Sequence, residues 1–406
     1  MPADVRRLSR RGVGWALLSD AVPLYPLYAL LFTDTGLSGG EISLLFALWS
    51  AVGIAAEVPT GALADRFSRR ANLVAAGLLQ AAGFALWTAL PSFAVFAAGF
   101  VLWGLGGALA SGSIEALLYD GLLAAGHESR YVRVSGQVTA AGLVAQVPAA
   151  VVAAVLFPLG GYPLVGWVSV AICLAASALA ARLPEVRGAA GGPVAGDGDG
   201  PGAGDGDGPG AGDGGGPGNG GGLGYFATLR DGVREAAGRP AVRAAALVLA
   251  ALAGLDAVEE YFPLLAHGWG VPTALNPAAT LVITLGGAAG AALAARAGGL
   301  PGRGLAGLML AAGLLLAGAA ALDRPAGIVL VAGFYGLYRL VLVIADARLQ
   351  AVIDGAARAT VTSVAALATE LSALLLFGAW AVGGVWCVAV LTAALSITMV
   401  RREQRE

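Results

Sequence analysis

Asp20-Ala21-Val22-Pro23-Leu24-Tyr25 and Asp256-Ala257-Val258-Glu259-Glu260-Tyr261 share one pattern, Asp-Ala-Val-x-x-Tyr. Each sits inside a run of the roughly 20 apolar residues that suffice to cross about 30 Å of hydrocarbon. Three more pairs follow in the same order. Gly61-Ala62-Leu63-Ala64-Asp65-Arg66 is answered by Gly290-Ala291-Ala292-Leu293-Ala294-Ala295-Arg296. Glu115-Ala116-Leu117-Leu118 is answered by Asp346-Ala347-Arg348-Leu349, and Arg130 stands before Ser135 as Arg358 stands before Ser363. Four pairs in one order, offset by about 230 residues, read as an internal duplication.

Composition says what the halves are made of. Hydrophobic residues make up 58% of the 406 and charged ones 12%, against roughly 25% charged in soluble domains. With a mean hydropathy of +0.78, the chain cannot build a water-facing surface around a core. Apolar runs at 12–33, 41–63, 71–90, 93–119, 132–157, 162–182, 241–265, 277–296, 304–322, 326–347, 359–380 and 382–400 predict an all-α membrane protein of about twelve transmembrane helices. They form two pseudo-symmetric six-helix bundles, 1–187 and 225–406. The N-terminal apolar run continues past Phe32 without a small-residue cleavage site, so it reads as an uncleaved first helix rather than a signal peptide.

All 24 basic residues are arginine, a bias that fits a GC-rich genome such as an actinomycete's. All but Arg324 and Arg339 fall at the termini or in alternate loops on one side. Cytoplasmic loops are enriched in Lys and Arg, so both termini are expected in the cytoplasm of a multi-pass cell-membrane protein. Cys173 and Cys387 lie in apolar stretches with no His or carboxylate cluster beside them, which predicts packing residues and no metal site. No cofactor and no nucleic-acid partner is expected, and the protein is expected to be a monomer in the lipid bilayer.

Residues 188–224 are a Gly/Asp/Pro-rich repeat whose side chains can bury almost nothing. They predict a disordered cytoplasmic linker between the bundles, since the regular apolar positions of calcium-binding repeats are missing. Residues 225–239 form an amphipathic segment suited to the membrane surface.

Gly61-Ala62-Leu63-Ala64-Asp65-Arg66-Phe67-Ser68-Arg69-Arg70 closely resembles the loop 2–3 signature of the major facilitator superfamily, G-x-L-A-D-R-x-G-R-R, with Ser68 in place of a glycine. Helix count, linker position and repeat extend the resemblance over the whole chain. It implies parallel repeats with a substrate site between them, lined by helices 1, 4, 7 and 10, and a multidrug-efflux-like transporter rather than an enzyme. It also implies a cytoplasmic gate of Gly61, Asp65, Arg66, Arg69, Arg70 and Asp120, in which Asp65 caps helix 11 and the arginines pair with Asp120. The arginines could instead serve only as topology anchors. The arginine that drug–proton antiporters carry early in helix 4 is absent from Val101-Leu102-Trp103-Gly104. Of their helix-5 signature only Gly142 and Pro148 are candidates.

Ionisable groups at bilayer depth are costly and so mark function. Asp20, Glu115, Asp256, Glu260, Asp346, Glu370 and Arg339, with Tyr25 and Tyr261, are the candidates for substrate binding or proton coupling. At 1.5 Å per residue Asp20 lies roughly 12 Å from the cytoplasmic end of helix 1, and Asp256 roughly 22 Å along helix 7, close to mid-membrane. Asp256 is the first choice for coupling and Asp20 the second, the rival role for Asp256 being a static partner of Arg339. Glu57 shares a helical face with Asp65 and could belong to the gate. Glu115 and Asp346 fall near helix ends, where a snorkelling structural role competes. On regular helix geometry Glu259 and Glu260 cannot both face a cavity. The depths of Arg339 and Glu370 favour an ion pair between them. Trp269 and Trp386 read as interfacial anchors.

An aromatic cavity with a few carboxylates suits a small, lipophilic or amphiphilic solute, cations included, exchanged for protons. The expected function is proton-coupled export. Nutrient import is the rival, weakened by the absence of lysine, and a non-transporting sensor of the same fold is a second rival.

Overall fold

The structure, a computed structural model, describes residues 3–66, 68–185, 240–352 and 358–403. The linker 188–224 and the amphipathic segment 225–239 lie outside the described residues. So do the side chains of Glu57, Gly61, Asp65 and Arg66.

The described chain is an all-α membrane protein, and its helices resolve into twelve crossings. Crossings 2, 3, 8, 9 and 10 are single helices, Gly39–Arg66, Arg69–Ala89, Asn276–Ala297, Gly302–Leu322 and Gly327–Val352. Tyr131–Ala180 and Arg358–Glu403 hold 50 and 46 residues, more than twice what a bilayer accommodates. Each folds back on itself at a glycine in the left-handed region, Gly161 (φ 58°) and Gly384 (φ 56°), a conformation that disfavours a Cβ. They supply crossings 5 with 6 and 11 with 12.

Crossings 1, 4 and 7 are broken. Crossing 1 runs as Ala3–Asp20, a turn, then Tyr28–Asp34. Pro23 and Pro26 fall in the turn, and each lacks the N–H that would bond four residues back. The groups released by the break find other partners. The Leu24 amide donates to Ser169 Oγ at 3.0 Å, and the Tyr25 hydroxyl reaches the Ser19 carbonyl, which Pro23 leaves open, at 3.4 Å. Crossing 7 runs as Pro240–Gly254, a 3₁₀ segment Leu255–Tyr261, then Phe262–Gly268 with Pro263 in its first turn. The duplicated Asp-Ala-Val-x-x-Tyr pattern therefore marks a helix break in each half. Crossing 4 breaks between Phe93–Ala110 and Ser113–Ala124.

The halves meet where crossing 2 packs on 11 and crossing 5 on 8. At the arginine-poor end Phe46, Tyr261, Phe377 and Trp380 form an aromatic plug, with Tyr261 stacked on Trp380 at 3.9 Å. The hydroxyls of Ser43 and Tyr261 join the halves at 2.8 Å. Trp269, expected at the interface with lipid, is instead buried, its ring packed against Gly327, where an added Cβ would come within 3.1 Å of it. Trp386 is 51% exposed. Cys173 is buried and unbridged.

Candidate functional site

Two cavities flank the broken segment of crossing 7, and Trp49, Glu259 and Glu260 line both. The first, about 210 Å³, lies along the seam of crossings 5 and 8 and is walled by Asp20, Tyr25, Tyr28, Trp103, Gln146 and Thr280 among others. The second, about 640 Å³, lies along the seam of crossings 2 and 11. It runs toward the arginine-rich end as far as Ser111 and Gly112, with Asp256 and Glu370 in its wall.

Glu259 and Glu260 do both face cavity space, contrary to the regular-helix expectation. The segment carrying them is 3₁₀ and cavities lie on either side of it. Pro263 was the sequence signal for that irregularity.

Asp20 ends the first part of crossing 1 and projects toward crossing 5. A Cβ at Gly142 would stand 2.5 Å from its Oδ2, so the missing side chain makes room for the carboxylate. Among the described residues Asp20 has no hydrogen-bond or ion-pair partner, and it lines the first cavity. Beside it an aromatic ladder is stacked, Tyr25 on Trp103 at 5.4 Å and Trp103 on Trp49 at 5.1 Å. Trp49 carries no charge and has no marked place in the sequence pattern, and the sequence reading missed it.

Asp256 is held differently. Arg339 Nη1 lies 2.6 Å from its Oδ2, so Arg339 pairs with Asp256 and not with Glu370. The expected pair matched the two residues in depth but not in face: Glu370 points across the seam and accepts from Ser50 Oγ at 2.5 Å. The Tyr335 hydroxyl is 3.0 Å from Asp256 Oδ1 and 3.0 Å from Glu259 Oε2. Its ring lies against Gly287, where a side chain would collide with it, and Arg339 stands over the ring at 5.8 Å. Glu260 accepts from the Tyr28 hydroxyl of the other half.

The remaining candidates stand apart. Tyr261, the counterpart of Tyr25, is fully buried in the aromatic plug and lines neither cavity. Glu115 and Asp346 are exposed near the ends of their crossings and line neither cavity. Crossing 10, expected in the cavity wall, lines neither cavity; its Tyr335 and Arg339 reach only the carboxylates of Asp256 and Glu259 that do. The reason is its tight packing on crossing 8, where Gly290 lies against the Gly336 backbone.

At the arginine-rich end Arg69 pairs with Asp120 and also donates to the Ala116 carbonyl at 3.0 Å. Ser68, which replaces the signature glycine, caps crossing 3 by accepting from the Ala71 amide at 3.1 Å. It also donates to Glu185 at 2.5 Å, and Arg70 stands 3.8 Å from the same carboxylate. Glu185 was not legible in the sequence. These contacts all lie within the first half.

The sequence profile described as Major Facilitator Superfamily matches residues 13–385. The chain belongs to the Major Facilitator Superfamily. It is thus a multi-pass membrane transporter and not an enzyme. Among solved structures, the nucleoside transporter NupG is similar at 11% identity and TM-score 0.70, over 100% of this chain and 98% of that one. A D-xylose-proton symporter is similar at 13% identity and TM-score 0.67, over 97% and 96%. The POT family transporter PepTSo is similar at 12% identity and TM-score 0.64, over 98% and 99%. At such identities the likeness is one of fold. No curated protein matches the chain.

Proposed function

We propose that this superfamily member exports a small amphiphilic cation across the cell membrane in exchange for protons. In this reading Asp20 and the Tyr25–Trp103–Trp49 ladder bind the cation, and Glu259 carries the proton. The observation that carries it is the division of charge around the cavities. Asp20 faces the first cavity without a protein cation, while the one described arginine at this depth is taken by Asp256. A lone carboxylate beside stacked aromatic faces attracts a lipophilic cation by charge and by cation–π contact.

The proton follows from hydrogen counting. A phenol has one hydrogen to donate, yet Tyr335 lies at bonding distance from both Asp256 and Glu259. Both bonds form in full when one carboxyl is itself protonated and donates to the phenol oxygen. Asp256 is compensated by Arg339, so Glu259 is the protonated partner. A cation entering the shared cavity repels that proton, and a site that holds either proton or cation exchanges one for the other. With protons more concentrated outside, exchange runs as export.

The protein acts as a monomer with both termini in the cytoplasm, following the arginine asymmetry. Gly61, Asp65 and Arg66, together with Arg69, Arg70 and Asp120, form the cytoplasmic gate.

The test is purified full-length protein in vesicles, with ethidium as the probe. An acid interior should drive ethidium accumulation, and this should vanish when nigericin collapses the gradient. Accumulation driven only by an acid exterior would mean symport and overturn the exchange reading. That distinction does not depend on how the protein is oriented in the vesicle.

A further inference from the structure

Arg6, Arg7, Arg10 and Arg11 lie at intervals of one and four along the first helix, which places them on one side of it. Together with Leu179 of crossing 6 they line a third cavity of about 600 Å³, remote from the two above. Arg11 is tied to crossing 6 by a hydrogen bond to the Arg182 carbonyl. Arg6, Arg7 and Arg10 are exposed and have no hydrogen-bond or ion-pair partner among the described residues. Of the acids at this end, Asp120 is engaged by Arg69 and Glu185 by Ser68 and Arg70, and no described carboxylate is paired with these four arginines.

Four guanidinium groups around one cavity repel each other, and no described carboxylate offsets them. An anion would. The depth narrows its identity. Arg11 precedes Asp20 by nine residues, roughly 13 Å of helix, so the cluster sits about where headgroups meet hydrocarbon. Leu179 gives the same cavity an apolar wall, useless to a free inorganic anion but suited to the glycerol and first methylenes of a lipid. Guanidinium groups match phosphate geometry with paired N–H donors, and basic pockets between membrane helices on the cytoplasmic side suit anionic headgroups. We propose that this cavity is a binding site for the phosphate headgroup of an anionic phospholipid, seated between crossings 1 and 6 of the first half.

The experiment is native mass spectrometry of the full-length protein in detergent, titrated with phosphatidylglycerol or with phosphatidylcholine of the same acyl chains. Wild type should retain phosphatidylglycerol in marked preference. The triple variant Arg6→Gln, Arg7→Gln, Arg10→Gln should lower that preference by on the order of a hundredfold, from about one tenfold step or slightly less per arginine near an anionic surface. Because these arginines also set topology, Leu179→Trp serves as the second variant. It fills the cavity, leaves every charge in place, and should also lower phosphatidylglycerol retention. Equal retention of the two lipids by wild type would overturn the proposal, as would Leu179→Trp binding phosphatidylglycerol as wild type does. Displacement of the lipid by millimolar inorganic phosphate would show a site for soluble anions, and the lipid assignment would fall.

Discussion

The breaks in crossings 1 and 7 begin from the same six-residue pattern and end in opposite states. In the first half the repeat leaves Asp20 without a protein partner and Tyr25 stacked in a cavity wall. In the second, Asp256 is neutralised by Arg339 and Tyr261 is packed into the plug between the halves. Duplication preserved the backbone feature, an interrupted helix in each half, while the surroundings of the acid diverged. One half offers a charge for a ligand. The other satisfies its own charge and places a second acid, Glu259, beside it. A site built this way can hold ligand and proton on different groups of one cavity.

The comparison breaks most visibly if the second half loses its arginine. Arg339→Gln leaves Asp256 charged at bilayer depth with only Tyr335 to serve it. Removing one member of a fully buried pair costs roughly 3–5 kcal/mol. Here 31% and 32% of the two side chains stay accessible, so the expected loss is smaller, about 2–3 kcal/mol. Thermal unfolding of the purified protein should show it, and adding Asp256→Asn should recover most of it. No recovery in the double variant would mean that Arg339 has a partner other than Asp256.

The next effect belongs to the first half and should be functional only. Asp20→Asn removes a charge with no protein partner, so the thermal midpoint should stay at the wild-type value. Ethidium affinity should fall roughly ten- to a hundredfold, the 1.5–3 kcal/mol of an interaction with a charged group. A large drop in stability with affinity intact would make Asp20 structural, like its counterpart.

A smaller effect sharpens the same point. Gly142→Ala would place a methyl 2.5 Å from Asp20 Oδ2, so the carboxylate must turn away and ethidium affinity should drop a few-fold. In an Asp20→Ala background the same change should add nothing, since contacting residues couple and absent ones cannot. An additive loss would place the effect of Gly142 elsewhere in crossing 5.

Much of the fold was readable because it rests on repetition and on placement of charge. Four ordered sequence pairs, apolar runs of bilayer length and one-sided arginines are each local signals, and they agree. The site was only partly readable. Its acids stood out because carboxylates are rare in apolar helices, but their pairing depends on helix face and backbone geometry. Depth alone matched Arg339 to Glu370, whereas packing of crossing 10 on crossing 8 turns Arg339 to Asp256. Regular helical periodicity excluded Glu259, and a 3₁₀ segment ahead of Pro263 restores it. The prolines at 23, 26 and 263 were in view all along and carried the missing information. Trp49 and Glu185 had no such signal, since only the assembled bundle brings them to their partners.

The division of roles between Glu259 and Asp256 is decided most directly by counting protons released when ligand binds. Ethidium added to purified protein in weakly buffered detergent solution should release about one proton per molecule bound by wild type, the displaced proton of Glu259. Glu259→Gln should bind ethidium and release none, and Asp256→Asn should still release it. Release that persists in Glu259→Gln and disappears in Asp256→Asn would contradict the account and return the coupling role to Asp256.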